Sequence, residues 1–274
     1  MYRIYFDFKI QRKIFVSCFI SLFIALIQMV CVWGNENFQQ SKRDFKIGVQ
    51  DFEEYMPESL YKDGEYFGFA RDLLDMFAHE YGYNFTYIAA PIRRLNHNFY
   101  KGDVDFQYPD NEYWASNSKG GKNIKYSDPV VKYIDGIMVL KENLGKGIKD
   151  IKLLGIVMGY TPFLYLDAIK AGTIKLSENS LYESLLKQII LKRIDGAYSN
   201  ISVSKYYLKK YFKNSTDELV FNDSLPYTKS TRHLSTIKYP KIIDEFNSFL
   251  IKKKNDIDRL KRKYKIEEEV DKCK

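Results

Sequence analysis

The turn Gly159-Tyr160-Thr161 is the segment of this sequence whose residue types best suit contact with an anionic or strongly polar group. It follows a β-prone run and precedes Pro162, a residue favoured in the first turn of a helix. A helix that begins here directs free backbone N–H groups and the positive end of its dipole toward the turn. Gly159 allows a ligand close to the backbone, and Thr161 offers a hydroxyl and a helix cap. The alternative is that both residues only shape the turn.

An arginine and several aromatic residues supply the other candidate contacts. Arg94 follows Pro91 near the start of a predicted helix, where we expect it to pair with an anionic ligand. The alternative is an ordinary surface arginine that pairs with Asp103 or Asp105. Flat apolar walls for a ring or a sugar are expected from three residues that could equally pack in the core: Tyr55, Trp114 and Tyr160.

The sequence gives little support for catalysis or metal binding. Its serines lack the context of an activated nucleophile, and no histidine is paired with a serine or a cysteine. His79, His97 and His233 are too scattered to indicate a metal site, and zinc-type spacings are absent. We therefore expect neither a metal nor a cofactor. One alternative stays open, in which Asp195 and Glu58 act as acid and base in a dehydratase-like enzyme.

The charge of the chain bears on its partners. The 274 residues include 43 Lys and Arg against 35 Asp and Glu, a net charge of +8. Part of the excess lies at the N-terminus, and part lies in residues 252–274, where both signs alternate as on a solvated helix face. No nucleic-acid motif accompanies the charge, so we expect no nucleic-acid partner. The composition, 45% hydrophobic and 28% charged, is typical of a soluble globular protein.

A targeting segment is predicted at residues 1–34, where basic residues precede an apolar run at residues 14–33. The pattern predicts a signal peptide, cleaved so that the mature chain begins near Asn35. Two alternatives stay open: the run nearly suffices to remain as a membrane anchor, and Cys31 could carry a lipid. In each case we expect the remaining chain to lie in the periplasm. Cys273, the single cysteine beyond this segment, cannot form an internal disulfide.

Strand and helix patterns alternate along the rest of the chain. A first set predicts strands at 45–50 and 85–89, helices at 70–81 and 92–100, and a turn at 102–106 that leads into a third strand. A second set predicts strands at 153–158, 172–176 and 195–198, with helices at 162–171, 181–191 and 202–211. An amphipathic helix from 240 to about 264 completes the pattern. This rhythm indicates two α/β lobes, each a mostly parallel sheet flanked by helices, joined by a β-prone segment at 133–140 in which Gly136 could flex.

Short motifs occur at corresponding points of the two lobes. They are Asp-Gly at 63–64, Gly-Phe at 68–69, Asp-Leu at 72–73, Gly-Asp-Val-Asp at 102–105, Tyr-Ser-Asp-Pro at 126–129, Gly-Ile-Val-Met-Gly at 155–159 and Arg-Ile-Asp at 193–195. In their order and spacing they resemble the bacterial family 3 solute-binding proteins, which are type II periplasmic binding proteins of import systems. The matches run from about residue 45 to residue 265. The resemblance implies a two-lobed fold whose chain crosses twice between lobes and traps a small ligand in the cleft.

Two positions depart from the amino-acid binders of that family. The resemblance implies an Arg shortly before residue 126 that clamps the ligand's α-carboxylate, but residues 110–118 contain no Arg and Trp114 lies roughly there. It also implies an Asp, a few residues after Asp195, that pairs with the α-ammonium group. The count reaches Asn200, which can hydrogen-bond but not ion-pair. The sequence therefore predicts weak binding of ordinary α-amino acids and leaves the ligand open.

The predicted function is that of a monomeric periplasmic substrate-binding protein. It captures a small polar solute between lobes formed by residues 45–135 with 220–274 and by residues 136–219. The expected partner is the inner-membrane permease of an ABC-type importer. The alternatives are a membrane-anchored sensing module with the same fold and, less favoured, the dehydratase-like enzyme.

Overall fold

The computed structural model describes residues 43–52, 54–114, 119–213, 217–267 and 270, which belong to one compact unit, Arg43–Lys274. The predicted targeting segment, with Cys18 and Cys31, lies outside the described residues, and so does Cys273. Within the described ranges, no helix combines the length and the apolar character needed to cross a membrane.

The described residues form thirteen strands and seven α-helices. The strands are β1 (Arg43–Gln50), β2 (Glu54–Tyr55), β3 (Ser59–Lys62), β4 (Glu65–Phe67), β5 (Tyr83–Ala90), β6 (Phe106–Asp110), β7 (Lys125–Tyr126), β8 (Val131–Leu140), β9 (Leu153–Val157), β10 (Lys175–Asn179), β11 (Gly196–Asn200), β12 (Leu219–Phe221) and β13 (Thr228–Thr236). The helices are α1 (Phe69–Tyr81), α2 (Ile92–Lys101), α3 (Leu166–Lys170), α4 (Tyr182–Ile190), α5 (Ile201–Tyr211), α6 (Pro240–Lys252) and α7 (Lys254–Tyr264).

Ten of the strands form one sheet in the order β10-β9-β11-β8-β13-β6-β1-β5, with β12 beside β8 and β7 beside β13. The outer strands of each half are parallel, whereas β8 and β13 run antiparallel to their neighbours. Residues 131–135 of β8 pair with residues 228–232 of β13, and this ladder joins the two halves. The chain thus passes into the second lobe along β8 and returns along β13. We call the half with β1, β5 and β6 the first lobe and the half with β9, β10 and β11 the second lobe.

Each lobe has its own hydrophobic core. In the first lobe, α1 buries Phe69, Leu73 and Phe77, which share one helix face, against the sheet. The ring of Phe77 lies 5.0 Å from that of Phe246 and 5.4 Å from that of Phe249, both on α6. These contacts fix α1 and α6 over the sheet and leave the ends of β1 and β6 to face the second lobe.

The sequence pattern predicted most of these elements. The first helix ends at Gly82 in the left-handed conformation, as its cap position predicts. The predicted helix from 240 to 264 is instead two helices that meet at Lys253. The sequence pattern did not indicate this break, because the apolar stripe continues on both sides of it. Strand β13 was not predicted, because its polar residues form a strand only by pairing with β8 and β6.

Helix α6 offers a matched test of the first-lobe core. Ile243 is fully buried in that core, whereas Ile251 on the same helix is 76% exposed. We expect Ile243→Val to lower the free energy of unfolding by about 0.5–1.5 kcal/mol, because it removes one packed methylene group. Ile251→Val should change it by less than about 0.5 kcal/mol. Urea unfolding measures both values, and an equal loss from the two variants would contradict this packing.

Candidate functional site

A cavity lies between the two lobes, at the ends of β1 and β6 and beside the crossover strands β8 and β13. Its empty volume is about 630 Å³ when the part open to solvent is counted. Residues of both lobes line it: Gln50, Tyr55, Ile92, Asn96, Gln107, Asp110, Trp114, Tyr133, Asp135, Gly159, Tyr160, Thr161, Phe163, Tyr198 and Arg232. Five of the seven residues predicted from the sequence are therefore brought together: Tyr55, Trp114, Gly159, Tyr160 and Thr161.

Gly159 lies at a close approach of the two lobes in this cavity. Its φ of +93° is one that glycine adopts without strain. A Cβ atom at this position would lie 2.9 Å from the Cβ of Ile92, on helix α2 of the first lobe. Glycine is therefore required twice over, by its own backbone and by the approach of the other lobe.

The turn after Gly159 offers fewer free N–H groups than the sequence suggests. The amide of Tyr160 donates to the carbonyl of Val157 at 3.0 Å, and the amide of Phe163 donates to the carbonyl of Thr161 at 3.0 Å. The predicted helix at 162–171 begins as a 3-10 turn, and its α-helical part, α3, has only five residues. The dipole and amide arguments for an anion at this turn are correspondingly weak.

The aromatic residues form a connected wall. Tyr160 of the second lobe donates its hydroxyl to the hydroxyl of Tyr55 at 2.7 Å. Trp114 donates its indole N–H to the hydroxyl of Tyr133 at 3.0 Å, and the two rings lie 5.7 Å apart. Tyr198 lies in β11 and is buried. Because these polar ends bond to one another, the rings keep fixed orientations around the cavity.

Arg94 is exposed and lines neither this cavity nor the outer part of the cleft. Its neighbour Arg93 lines the outer part and donates to Glu178 of strand β10 at 2.9 Å and 3.2 Å. This pair spans the two lobes, but both side chains remain partly in solvent, so its contribution to stability is small. Arg93, which the sequence did not single out, is thus the arginine of the pair that faces the cleft.

Asn200 does not line the cavity either, yet it supports a residue that does. Its side-chain oxygen accepts the amide of Val203 and caps helix α5, while its Nδ2 donates to Asp135 at 2.9 Å. Asp135 lines the cavity, is buried, and makes no ion pair with any described residue. Burial raises its pKa to about 7, although the hydrogen bond from Asn200 opposes the shift.

Asp110, at the end of β6, is a second buried carboxylate in the wall. It accepts hydrogen bonds from the hydroxyl of Ser235 and from the amide of Asn111, each at 2.7 Å. Burial raises its pKa, while the more distant charge of Lys119 opposes the shift. Both aspartates can therefore accept further hydrogen bonds from a molecule inside the cavity.

The arginine of the site is Arg232, which the sequence analysis did not identify. It lies in β13, is 3% exposed, and forms an ion pair with the buried Glu58. It also donates to the hydroxyl of Tyr55 at 2.9 Å, and its guanidinium lies 5.2 Å and 5.3 Å from the ring centroids of Tyr55 and Tyr133. Arg232 is therefore a cation in the cavity wall whose charge Glu58 already balances.

A sequence signal could have identified one of these residues, Asp135. Asp135 interrupts a run that is otherwise almost entirely apolar from Val131 to Leu140. Arg232 is harder to find, because its strand is polar throughout and only its pairing with β8 buries it. Asp195 and Glu58, the suggested acid and base, do not line the cavity, since Asp195 accepts backbone amides of Lys152 and Leu153 and Glu58 is paired with Arg232.

Comparison with known proteins identifies the fold. No family model and no curated protein matches the chain. A substrate-binding protein of an ABC uptake transporter from Streptococcus pneumoniae, with bound histidine, is 19% identical with a TM-score of 0.65, covering 84% of this chain and 96% of that one. The GluR0 ligand-binding core in complex with L-glutamate is 13% identical with a TM-score of 0.64, covering 82% and 99%.

A third solved structure is the ancestral amino acid-binding protein AncCDT-1, described as a precursor of cyclohexadienyl dehydratase. It is 20% identical with a TM-score of 0.61, covering 81% of this chain and 94% of that one. At such identities these likenesses establish the fold. The chain has the two-lobed α/β fold of the type II periplasmic binding proteins, which confirms the fold class predicted from the sequence.

The buried Asp135 predicts a pH-dependent stability. Its pKa is raised from 3.8 to about 7, so between these values the folded protein keeps a proton that the unfolded chain releases. The contribution of Asp135 to stability therefore falls as pH rises, by about 2 kcal/mol from pH 5 to pH 7. Asparagine cannot titrate, so the free energy of unfolding of Asp135→Asn, relative to the parent, should rise by this amount across the interval.

Urea unfolding of the empty protein at pH 5, 6 and 7 measures this difference. Burial raises the pKa of the neighbouring Tyr133, Tyr160 and Tyr198, so these groups do not ionise in the interval. Asp223→Asn is the control, since Asp223 is exposed, lies outside the cavity and is hydrated in both states. A difference between Asp135→Asn and the parent that stays constant with pH would contradict the expectation.

Proposed function

We propose that this protein is a solute-binding protein that closes on a small polar molecule between its two lobes. The observation that carries the proposal is the cavity itself, whose wall combines Gln107 and Asp110 of the first lobe with Tyr160 and Thr161 of the second. A ligand held by both walls stabilises the closed arrangement of the lobes, which is how a binding protein couples capture to a change of shape.

Contacts across the cleft support this proposal. Glu54, in the small sheet that the first lobe extends toward the second, accepts the hydroxyl of Tyr206 at 2.6 Å and pairs with Lys210, both on α5. Burial opposes ionisation of Glu54, but its hydrogen bonds from Lys210 and the tyrosines outweigh this and lower its pKa. With the Tyr55–Tyr160 hydrogen bond, these contacts join the two lobes, as closure on a ligand would require.

The remaining parts of the proposal concern where the protein works and with what. It is exported to the periplasm, acts as a monomer, and delivers its solute to the permease of an ABC-type importer. The lobe boundaries stay as proposed from the sequence, with residues 45–135 and 220–274 in one lobe and 136–219 in the other. The crossover strands β8 and β13 support boundaries of this kind, because β8 pairs with β11 of the second lobe, β13 pairs with β6 of the first, and the two strands pair with each other.

The state of the N-terminus separates the transport proposal from the sensing alternative. We expect N-terminal sequencing of the exported protein to find a chain that begins near Asn35, because the basic and apolar residues before it have the pattern of a cleaved signal. A chain that retains Met1 and sediments with the membrane would instead favour the anchored sensor.

Ligand-dependent stabilisation tests the binding function directly. We expect the purified protein to show an increased free energy of unfolding with one class of solute from a panel of amino acids, amines, sugars and carboxylic acids. At a concentration one hundred times the dissociation constant the increase is about 2.7 kcal/mol, because the ligand binds only the folded state. A panel that leaves the stability unchanged throughout would contradict the function.

A pair of glycine variants then assigns binding to this cleft. Gly159→Ala should weaken the binding of the solute found by the panel roughly tenfold or more, because a methyl group there collides with Ile92 when the lobes close. Gly172→Ala is the matched control, since its φ is +70° and no atom lies within 4 Å of the added carbon. Both variants carry backbone strain, so equal affinities for the two would contradict a site between the lobes.

A further inference from the structure

The charges in the cavity wall differ from those expected of an anion site. Among the described residues that line it, the charged ones are Asp110, Asp135 and Arg232. Glu58 already balances Arg232, so the two aspartates determine the local charge. The positive net charge of the whole chain, +8, is therefore not reflected where a ligand would lie.

Asp135 is the more isolated of the two carboxylates. It is 8% exposed, and its side chain accepts a hydrogen bond from the neutral amide of Asn200. Transferring a carboxylate out of water is costly unless a cation or several donors compensate it. Within the described structure that compensation is incomplete, so a cation entering the cavity would supply it.

Asp110 is compensated only in part. Lys119 lies near enough to influence it, but the ammonium of Lys119 donates to the carbonyls of Asn111 and Glu112 and to the hydroxyl of Tyr126. No ion pair joins Lys119 to Asp110. The wall therefore keeps a net negative character even when Lys119 is included.

A ligand carboxylate finds a poor partner here. Glu58 pairs with one terminal nitrogen of Arg232 and balances its charge, the other terminal nitrogen donates to Tyr55, and the buried Nε has no hydrogen-bond partner among the described residues. A bidentate clamp needs two parallel N–H groups on an arginine whose charge is free. Arg232 does not meet the second condition, because Glu58 already balances its charge.

A second, independent observation indicates a donor on the ligand. Gln107 is 3% exposed and lines the cavity, and its Nε2 donates to Asn96 at 3.1 Å. Its Oε1 is buried without a hydrogen-bond partner among the described residues. An unpaired buried acceptor is unfavourable, and an N–H group of a bound molecule would satisfy it. The aromatic faces of Trp114 and Tyr160 suit a cation as well.

We propose that the cavity selects a small organic cation that carries N–H donors and lacks a carboxylate, such as an alkyl diamine or a guanidinium compound. Asp135 and Asp110 accept its charged N–H groups, Gln107 accepts a further one, and the aromatic wall surrounds its carbon chain. This inference rests on the proposed solute-binding function and names its ligand class.

Matched pairs of probes test it by calorimetric titration of the full-length protein. The pairs are 1,4-diaminobutane with ornithine, 1,5-diaminopentane with lysine, and agmatine with arginine, in which the members differ only by the α-carboxylate. At least one amine should bind, and should bind at least about tenfold more tightly than its amino acid, because the carboxylate enters a wall without a free cation. Equal or tighter binding of the amino acids would overturn the proposal.

Variants of the carboxylates provide a second test with the amine that binds best. Asp135→Asn should weaken its binding by about ten- to a hundredfold, the range expected for a lost hydrogen bond to a charged group. The same variant should stabilise the empty protein at pH 7.5, since it removes an uncompensated buried charge. A merely structural role would lower stability and affinity together. Asp223→Asn, on the exposed surface, should change neither quantity.

Asp110→Asn repeats the measurement at the second carboxylate and replaces the first variant if Asp135→Asn does not fold. Unchanged amine affinity in a folded carboxylate variant would overturn the proposal. If amino acids or sugars bind and no amine does, the proposal is also overturned, while the solute-binding function stands. Failure of every solute in the panel would contradict both.

Discussion

The guanidinium of Arg232 is buried at the point where the chain returns from the second lobe to the first. It forms an ion pair with Glu58, which follows strand β2, and donates to the hydroxyl of Tyr55. Tyr55 in turn accepts the hydroxyl of Tyr160 from the second lobe. One buried cation thus fixes the crossover strand, the small sheet and one wall of the cavity. Removing either charge would leave the other buried and unpaired, which is far more costly than losing an exposed pair.

The position of the small sheet follows from this network. Phe52 and Tyr55 pack in a core cluster of the second lobe, although the chain around them enters and leaves through the first lobe. Their rings stack at 5.0 Å, and the backbone carbonyl of Glu54 accepts the hydroxyl of Tyr207 on α5 at 2.7 Å. Opening of the cleft must therefore break aromatic packing as well as polar contacts. Since the contacts act together, closure is expected to be cooperative rather than gradual.

The sequence predicted what local patterns control, namely the helices, the parallel strands and the glycine turn that approaches the other lobe. It could not predict strand β13 or Arg232, because a polar strand acquires its burial only from pairing with residues about a hundred positions earlier. The family resemblance predicted a ligand contact at Asn200, but this residue supports Asp135 and does not line the cavity. Asp135 itself was visible as a lone charge in an apolar strand. A charged residue within an apolar strand was thus a more direct signal of the cavity than the family resemblance.

A protein with uncompensated carboxylates in a cavity is less stable when the cavity is empty than its core alone would allow. A bound cation would offset this loss of stability, because a ligand that binds only the folded state stabilises it. Burial raises the pKa of Asp135 and so favours its protonated form in the empty protein, and in the proposed complex an organic cation would replace that proton. A proton satisfies the charge alone, whereas an amine also donates to Gln107 and fills the aromatic wall. The proposed selectivity of the site therefore depends on the hydrogen bond to Gln107 and on the contacts with the aromatic wall, which a proton does not make.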